Sequence, residues 1–181
     1  TEPEAKILAT APFYSDQINV IENVARSISI DQVLYVKEHP GQRLKFWRSI
    51  EDYKRIFELQ NVKMIHPDFN SQRLISNSTA IISIMGSTGF EALFYKKPVF
   101  LFSEEYYDVL SMVKKIQDIT ELPEIIKKHL KNFKFNHLEL NALMDATNSC
   151  SIQIPYFSMM KDAITISSTQ KNSGIEKSVD I

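Results

Sequence analysis

The chain is 181 residues long, which is enough for one domain with a sizeable buried core. It is 44% hydrophobic and 24% charged, as is usual for a globular protein, and its net charge of −1 gives no reason to expect nucleic acid as a partner. A single cysteine, Cys150, excludes an internal disulfide framework and fits a reducing compartment, and no apolar run approaches the length of a membrane span.

The first third of the chain predicts a strand, a helix and a second strand. Residues 7–10 are predicted to form a short first strand, and residues 16–28 carry apolar side chains at helical spacing, with Ser15 as the expected N-cap. The apolar run 33–36 is typical of a strand that is covered on both faces, and it ends in a turn at 37–41.

The middle of the chain continues the same alternation. A helix is predicted at 44–59, because its aromatic and aliphatic residues repeat on one face. A short strand at 62–65 follows, and then a short helix at 71–77. The next strand is predicted at 80–84.

The last elements complete the pattern. A helix at 88–95 leads to a strand at 98–102, and Thr120 is expected to cap a helix that ends near residue 130. A final helix is predicted at 138–148.

Alternating strands and helices predict an α/β fold, with a Rossmann-like parallel sheet of five or six strands and helices on both faces. Residues 1–166 are expected to form this domain. From residue 167 polar residues replace apolar ones, so 167–181 is predicted to be a disordered tail. In such sheets ligands bind beyond the carboxyl ends of the strands, where His39, His66, Ser87 and Ser103 are all expected to lie.

The segment 81–93 is the most informative part of the chain, since it predicts a strand, a tight turn and a helix start. The turn contains Gly86, Ser87, Thr88 and Gly89, although the whole chain has only 4 glycines. Glycine gives a turn backbone freedom or lets a ligand approach closely. The helix start offers unpaired N–H groups and a positive dipole end, which suit a phosphate or a sugar carboxylate. Glu91 lies within reach of a ribose hydroxyl; the alternative is a purely structural turn.

A second candidate is the turn after the strand at 33–36. His39 is suited to donate to a phosphate oxygen, Lys37 adds positive charge, and Pro40 favours an extended backbone at His39. The alternative is an ordinary surface turn. The same dipeptide recurs at His66-Pro67, where a plain strand exit is an equal alternative.

Other residues have simpler explanations. Tyr106 and Tyr107 are expected to pack rather than to stack on a base, and Lys114-Lys115 to lie on a solvated face. The histidines at 129 and 137 lack the spacing of metal ligands.

Several motifs occur together in a characteristic order. They are Pro3-Glu4, Asp16-Gln17, Val36-Lys37-Glu38-His39-Pro40, the run from Gly86 to Leu93, and Lys97-Pro98-Val99. Over residues 3–107 they resemble the capsule polysaccharide biosynthesis family, which includes bacterial Kdo transferases of capsule assembly. The resemblance implies one half of a GT-B glycosyltransferase, whose C-terminal Rossmann-like domain holds most of the nucleotide-sugar donor.

The His-Pro and Ser-Thr pairs also resemble motifs by which bacterial sialyltransferases hold a CMP-sugar. That analogy implies that His39 and the pair Ser87-Thr88 contact the donor phosphate, and that Glu91 contacts the ribose. The donor site implied in this way, without metal or cofactor, comprises Lys37, His39, Pro40, Gly86, Ser87, Thr88, Gly89 and Glu91. The catalytic residues stay unassigned, because the family's acid or base is expected in an N-terminal domain that this chain lacks.

The sequence thus predicts the donor-binding part of a glycosyltransferase of surface or capsular polysaccharide synthesis, inactive by itself. The expected donor is a CMP-activated acidic sugar such as Kdo, and the expected acceptor is a glycan or glycolipid. The alternatives are a UDP-sugar epimerase of the same architecture and a non-catalytic sugar-nucleotide-binding or scaffold module of an export complex. The expected location is the cytoplasm, including the periphery of the inner membrane.

Overall fold

The structure, a computed structural model, describes residues 5–39 and 48–152. The chain divides into two compact units, Thr1–Leu143 and Met144–Ile181. The predicted tail at 167–181, the predicted domain end at residue 166 and the predicted site residue Pro40 all lie outside the described residues.

Helices and strands alternate through most of the first unit, and the helices of its first half have six to eleven residues. These elements are α1 (Ala5–Thr10), α2 (Gln17–Ser27), β1 (Leu34–Lys37), α3 (Ile50–Phe57), β2 (Val62–Ile65) and α4 (Ser71–Asn77). The later elements are β3 (Ile81–Ser83), α5 (Ser87–Phe94), β4 (Val99–Leu101), β5 (Val113–Lys115), α6 (Leu122–Asn132) and α7 (His137–Cys150).

The strands are parallel, as predicted for an α/β fold of the Rossmann type, but they form two sheets instead of one. In the first sheet β1 pairs with β2, and Lys37 lies opposite Ile65. In the second sheet β4 lies between β3 and β5, so that Leu101 lies opposite Ser83 and Lys115. The prediction of a single sheet with five or six strands is therefore wrong, because the short strands pair only within these two groups among the described residues.

The central strand β4 explains why helices cover both faces of its sheet. Side chains of a strand point alternately to opposite faces. Val99 and Leu101 enter one buried cluster, which includes Leu93 of α5 and Leu140 of α7. Phe100 and Phe102 enter another, with residues from α2 and α6. The predicted two-sided covering is thus confirmed for β4, whose three residues are all fully buried.

The strand β1 is not covered on both faces, although its sequence predicted that it would be. Tyr35 is half exposed, and Val33 just before the strand is also exposed. Among the described strands β1 pairs only with β2. It is therefore an edge strand of a small sheet and not the buried strand that its apolar sequence predicted.

Several helix starts also differ from the sequence prediction. Residues 7–10 belong to α1 and not to a strand, since a four-residue apolar run has no diagnostic period and alanine and leucine favour helices. Asp16, not Ser15, caps α2 by accepting from the Asn19 N–H at 3.0 Å. The helix predicted from residue 44 begins at Ile50, after the N-cap Ser49; residues 44–47 lie outside the described part.

The C-terminal half contains a strand that the sequence prediction missed. Lys114 and Lys115 lie in this strand, β5. Lys114 is exposed, as predicted for a solvated face, and the partly buried Lys115 pairs through its Nζ with Glu104 at 3.0 Å. The prediction that Thr120 caps this helix is wrong: the N-cap of α6 is Glu121, which makes no side-chain cap hydrogen bond. Asp118 caps the short 3-10 turn Ile119–Glu121 before it, where its side chain accepts from the Thr120 N–H and hydroxyl. Helix α6 then begins at Leu122. No helix in the described ranges is long and apolar enough to cross a membrane.

The histidine of α6 is expected to make the stability of the protein depend on pH. His129 is half-buried, its ring lies 5.2 Å from that of Phe100, and its Nε2 lies 3.2 Å from the Met112 carbonyl oxygen. Burial lowers the pKa of His129, and the hydrogen bond to Met112 offsets this only in part. The unfolded chain therefore takes up the proton more readily, so we expect stability to fall as the pH drops below about 6.5, the ordinary pKa of histidine.

The measurement is urea unfolding at several values between about pH 7.5 and 5.5, above the range in which carboxylates titrate. His129→Gln keeps a donor for the Met112 carbonyl but cannot be charged. It should therefore reduce the dependence of the unfolding free energy on pH. His137→Gln, at an exposed position, serves as the control and should leave it unchanged. Parallel profiles for the parent and His129→Gln would contradict this assignment.

Candidate functional site

Gly86 adopts a backbone conformation that only glycine tolerates well. It is the N-cap of α5 and has φ of 101° and ψ of −176°. A Cβ at Gly86 would meet no atom within 4 Å, so the requirement for glycine is one of backbone conformation and not of space. The prediction that this turn needs backbone freedom is confirmed at Gly86.

Gly89 is needed for a different reason, which is packing. It is buried in the first turns of α5, where a Cβ would lie 2.6 Å from the Tyr107 hydroxyl oxygen and 3.0 Å from Val99 Cγ1. The absence of a side chain thus lets α5 approach β4 and Tyr107. At this position the structural explanation accounts for the glycine, and contact with a donor stays a prediction.

The segment that follows β4 holds both backbone groups of Gly86. The Gly86 N–H donates to Glu105 Oε1 at 2.8 Å, and the Tyr107 hydroxyl donates to the Gly86 carbonyl oxygen at 2.6 Å. Burial is the main cause that raises the pKa of Tyr107, and the negative charge of Glu105 raises it further. Tyr107 therefore stays protonated and remains a donor at neutral pH.

Glu105 was missed in the sequence, although Tyr107 packs as predicted. An acidic residue on a loop is common, and only the turn that brings residue 105 back to α5 reveals its role. The Asp108 N–H donates to the Glu105 carbonyl oxygen at 2.9 Å and closes that turn. The only sequence feature that points to Glu105 is the pair of acidic residues, Glu104 and Glu105, soon after the strand predicted at 98–102.

The polar side chains of the turn lie at the surface. Ser87 and Thr88 are exposed, and the Ser87 hydroxyl donates to Glu91 Oε1 at 2.9 Å. Residues at positions i and i+4 share one helix face, which explains this contact. The N–H groups of the first turn of α5 have no partner within the helix, so backbone donors and hydroxyls occur together there.

A buried hydroxyl lies on the same connection. Ser103, just after β4, is 2% exposed, and its Oγ has no hydrogen-bond partner among the described residues. Buried polar groups are nearly always bonded, and an exception calls for a partner from outside the chain or a functional reason.

The other predicted contacts follow β1 and β2, which are neighbours in their own sheet. Lys37 ends β1 and is partly buried, whereas His39 and His66 are exposed beyond the strand ends. The His66 Nδ1 accepts from the Asp68 N–H at 3.2 Å, an arrangement typical of a plain strand exit. Because the turn at Gly86 follows a strand of the other sheet, the proximity of His39 and Ser87 does not follow from strand pairing and stays a prediction.

A buried polar cluster lies directly before His39. Glu38 accepts from Arg48 Nε at 2.7 Å and from the Tyr53 hydroxyl at 2.9 Å, and Arg48 also donates to Gln17 Oε1. The side chains of Glu38 and Arg48 are 6% and 8% exposed. The desolvation cost of a pair this deeply buried is compensated only when its hydrogen bonds are satisfied. These bonds hold Glu38 in place and thereby the backbone that leads to His39.

Metal ligands do not group together in the part of the chain that the structure describes: no three of its His, Cys, Asp and Glu residues lie close enough to hold an ion. The prediction of a site without metal stays a prediction.

Comparison with known families matches residues 5–145 to the family described as Capsule polysaccharide biosynthesis protein. The match covers more than half of the chain and contains both the Gly86 turn and the segment around His39. The chain belongs to the capsule polysaccharide biosynthesis family. Membership gives it a role in capsule synthesis and confirms the resemblance found in the sequence. No curated protein and no solved structure shows significant similarity to it.

In this capsule biosynthesis protein, Gly89→Ala should destabilise the fold by about 1–3 kcal/mol, the usual cost of overpacking. The added methyl group would clash mainly with the Tyr107 hydroxyl oxygen. The double variant Gly89→Ala/Tyr107→Phe lacks that oxygen. Its loss of unfolding free energy should therefore be smaller than the sum of the losses of the two single variants. Urea unfolding of all three variants measures this coupling. Strictly additive losses would mean that Gly89 and Tyr107 do not constrain each other.

Arg48→Met should destabilise the protein by about 3–5 kcal/mol, because it leaves the Glu38 carboxylate buried without its charged partner. The matched control is Arg55→Met, which removes a 2.9 Å pair with Glu22 at a position that is 45% exposed, and which should have a much smaller effect. Thermal melts compare the two. If both variants lowered the melting temperature equally, the Glu38–Arg48 pair would stabilise the fold no more than an exposed pair does.

Proposed function

We propose that this chain is the donor-binding part of a glycosyltransferase that builds a capsular polysaccharide, with a CMP-activated acidic sugar such as Kdo as the donor and a glycan or glycolipid as the acceptor. The observation that carries the proposal is the conformation of Gly86 at the start of α5, in a member of this family. Its positive φ lies where the chain passes from β3 into a helix of eight residues, and the first N–H groups of that helix would donate to an anion bound at the turn.

The chemistry of donor cleavage suits such a turn. When the sugar leaves, negative charge develops on the CMP phosphate, and preoriented donors stabilise that charge without having to reorganise. The backbone of the first turn of α5 and the exposed hydroxyls of Ser87 and Thr88 supply donors of this kind. His39 in its protonated form would add a positive charge, and Lys37 would add another.

Ser87 and Glu91 act as a pair in this proposal. The carboxylate already accepts one hydrogen bond from Ser87, and a carboxylate has acceptor sites on both of its oxygens. The remaining sites of Glu91 would accept from the hydroxyls of the ribose. The pair would thus place phosphate and ribose one helical turn apart, which is the order in which they occur in a nucleotide.

The proposal predicts that Ser87→Ala and His39→Ala weaken CMP binding while the melting temperature stays close to that of the parent. Each variant removes an exposed polar group and no core contact. A hydrogen bond to a charged group is worth about 1.5–3 kcal/mol, so each should lose about tenfold or more in affinity. Calorimetric titration with CMP, UDP and ADP measures the effect and the nucleotide preference.

Two matched controls belong to this experiment. His66→Ala removes the histidine of the other His-Pro pair, and Ser76→Ala removes an exposed serine that donates to the Arg73 carbonyl within α4. Neither should change CMP affinity. Binding of UDP without CMP would favour the epimerase alternative, and variants that melt far below the parent yet bind CMP equally well would make the turn purely structural.

A further inference from the structure

Helix α5 carries aromatic side chains that the core covers only in part. Phe90 and Phe94 are four positions apart and therefore share one helix face, and their ring centroids lie 5.2 Å from each other. Tyr106, from the connection after β4, has its ring centroid 5.3 Å from that of Phe90. Phe94 is 51% exposed and Tyr106 is 54% exposed. These three rings form one continuous surface, which we call the aromatic patch.

The aromatic patch rests on the buried core. The Phe90 ring lies 5.6 Å from the ring of Tyr107, which is fully buried, and the Tyr106 ring meets that of Tyr107 nearly edge-on at 5.2 Å. Phe90 also packs against the cluster that contains Leu93. The rings are thus held in place before a ligand arrives, so binding would immobilise few side-chain rotamers.

A polar edge runs beside the rings. At about 100° per residue, Ser87, Phe90, Glu91 and Phe94 fall on one arc of α5, and the Ser87 hydroxyl donates to Glu91 Oε1 at 2.9 Å. Aromatic rings with a few polar groups beside them are the usual lining of small-ligand sites, and a carboxylate accepts hydrogen bonds from hydroxyls. This composition matches a sugar ring, whose C–H face is apolar and whose edge carries hydroxyl donors.

The charge around the aromatic patch argues against an anionic partner. The segments 86–95 and 103–111, which carry the three rings, contain four acidic residues and no lysine or arginine. Lys115 pairs with two of these acids, Glu104 at 3.0 Å and Asp108 at 3.9 Å, so the segments stay acidic on balance. Like charges disfavour an anionic lipid surface or an acidic polymer here, whereas carboxylates accept from the hydroxyls of an uncharged sugar.

The size of the aromatic patch argues against a stable protein interface. An aromatic side chain buries about 150–250 Å² in full, so the exposed halves of Phe94 and Tyr106 together offer on the order of 200 Å². A stable interface buries about 800 Å² on each partner. The aromatic patch therefore suits a short stretch of glycan better than a second copy of the chain.

We propose that the aromatic patch, together with Glu91, is a binding surface for uncharged sugar residues of a glycan chain, with Phe94 and Tyr106 stacked on the sugar rings. The chain belongs to a family of capsule polysaccharide synthesis, and the product of that synthesis is a glycan. The inference goes beyond the proposed function, because this surface needs neither CMP nor a donor phosphate. It would keep a polysaccharide chain attached to the protein between successive transfers. Since Glu91 is also the proposed ribose contact, Phe94 and Tyr106 are the residues that distinguish the two sites.

The test is binding of the full chain to an array of bacterial capsular oligosaccharides, both uncharged and anionic. We expect the parent to retain uncharged glycans, and Tyr106→Ala and Phe94→Ala each to weaken that binding about tenfold, because each removes a stacking ring. Tyr106→Phe keeps the ring and should bind nearly as well as the parent. The matched control Phe57→Ala removes a ring of α3 that is 69% exposed and lies outside the aromatic patch, so it should leave glycan binding unchanged.

The outcomes separate this inference from the proposed function. In calorimetric titrations with CMP, Tyr106→Ala and Phe94→Ala should keep the affinity of the parent. Glycan binding without CMP binding would support the aromatic patch and refute the donor site, and CMP binding without any glycan binding would do the reverse. If Tyr106→Ala weakened both to the same degree, the ring would belong to the donor site and the inference would be wrong. Melting curves and Phe94→Leu, which keeps apolar bulk without a flat ring and should also weaken glycan binding, guard against an effect of misfolding.

Two further measurements test other occupants of the aromatic patch. Sedimentation velocity reveals a dimer, and flotation with phosphatidylglycerol vesicles reveals binding to an anionic membrane. A dimer or a vesicle complex that Phe94→Ala abolishes would assign the rings to that partner and overturn the glycan proposal.

Discussion

The contact between Gly89 and Tyr107 determines how the candidate site is built. Since Gly89 has no side chain, helix α5 lies against β4 and the Tyr107 ring, which a methyl group at that position would push away. The same tyrosine then holds the Gly86 carbonyl oxygen, and its loop brings Glu105 to the Gly86 N–H. One close approach therefore fixes the helix start, the turn before it and the carboxylate beside it. In a small domain such packing constraints position polar groups more firmly than exposed hydrogen bonds do.

The electrostatics of the turn are more balanced than those of a bare helix start. Backbone donors and hydroxyls favour an anion, whereas Glu91 and Glu105 bring two carboxylates to the same few residues.

The candidate contacts at the other sheet rest on a different support. His39 is exposed, but the residue before it is a buried carboxylate with two hydrogen-bond donors at 2.7 and 2.9 Å. Glu38 and Arg48 are ten residues apart in the chain, so their hydrogen bond links the end of β1 to the segment just before α3. If His39 bound a ligand, little backbone conformational entropy would be lost there, because the residue before it is already held.

The sequence by itself determined the α/β class, the family and the turn at Gly86, because each depends on local information: alternating short apolar runs and helical periods, ordered motifs, and a glycine in a tight turn. It also placed β2 and α4 at their observed bounds. Only the tertiary structure decided that the strands form two sheets, that residues 7–10 are helical, and that Lys114 and Lys115 lie in a strand. It alone showed that Gly89 serves packing and that Glu105 reaches Gly86, since such contacts join residues about 18 or 19 positions apart, and no local pattern records which distant side chain folding will bring to a given backbone group.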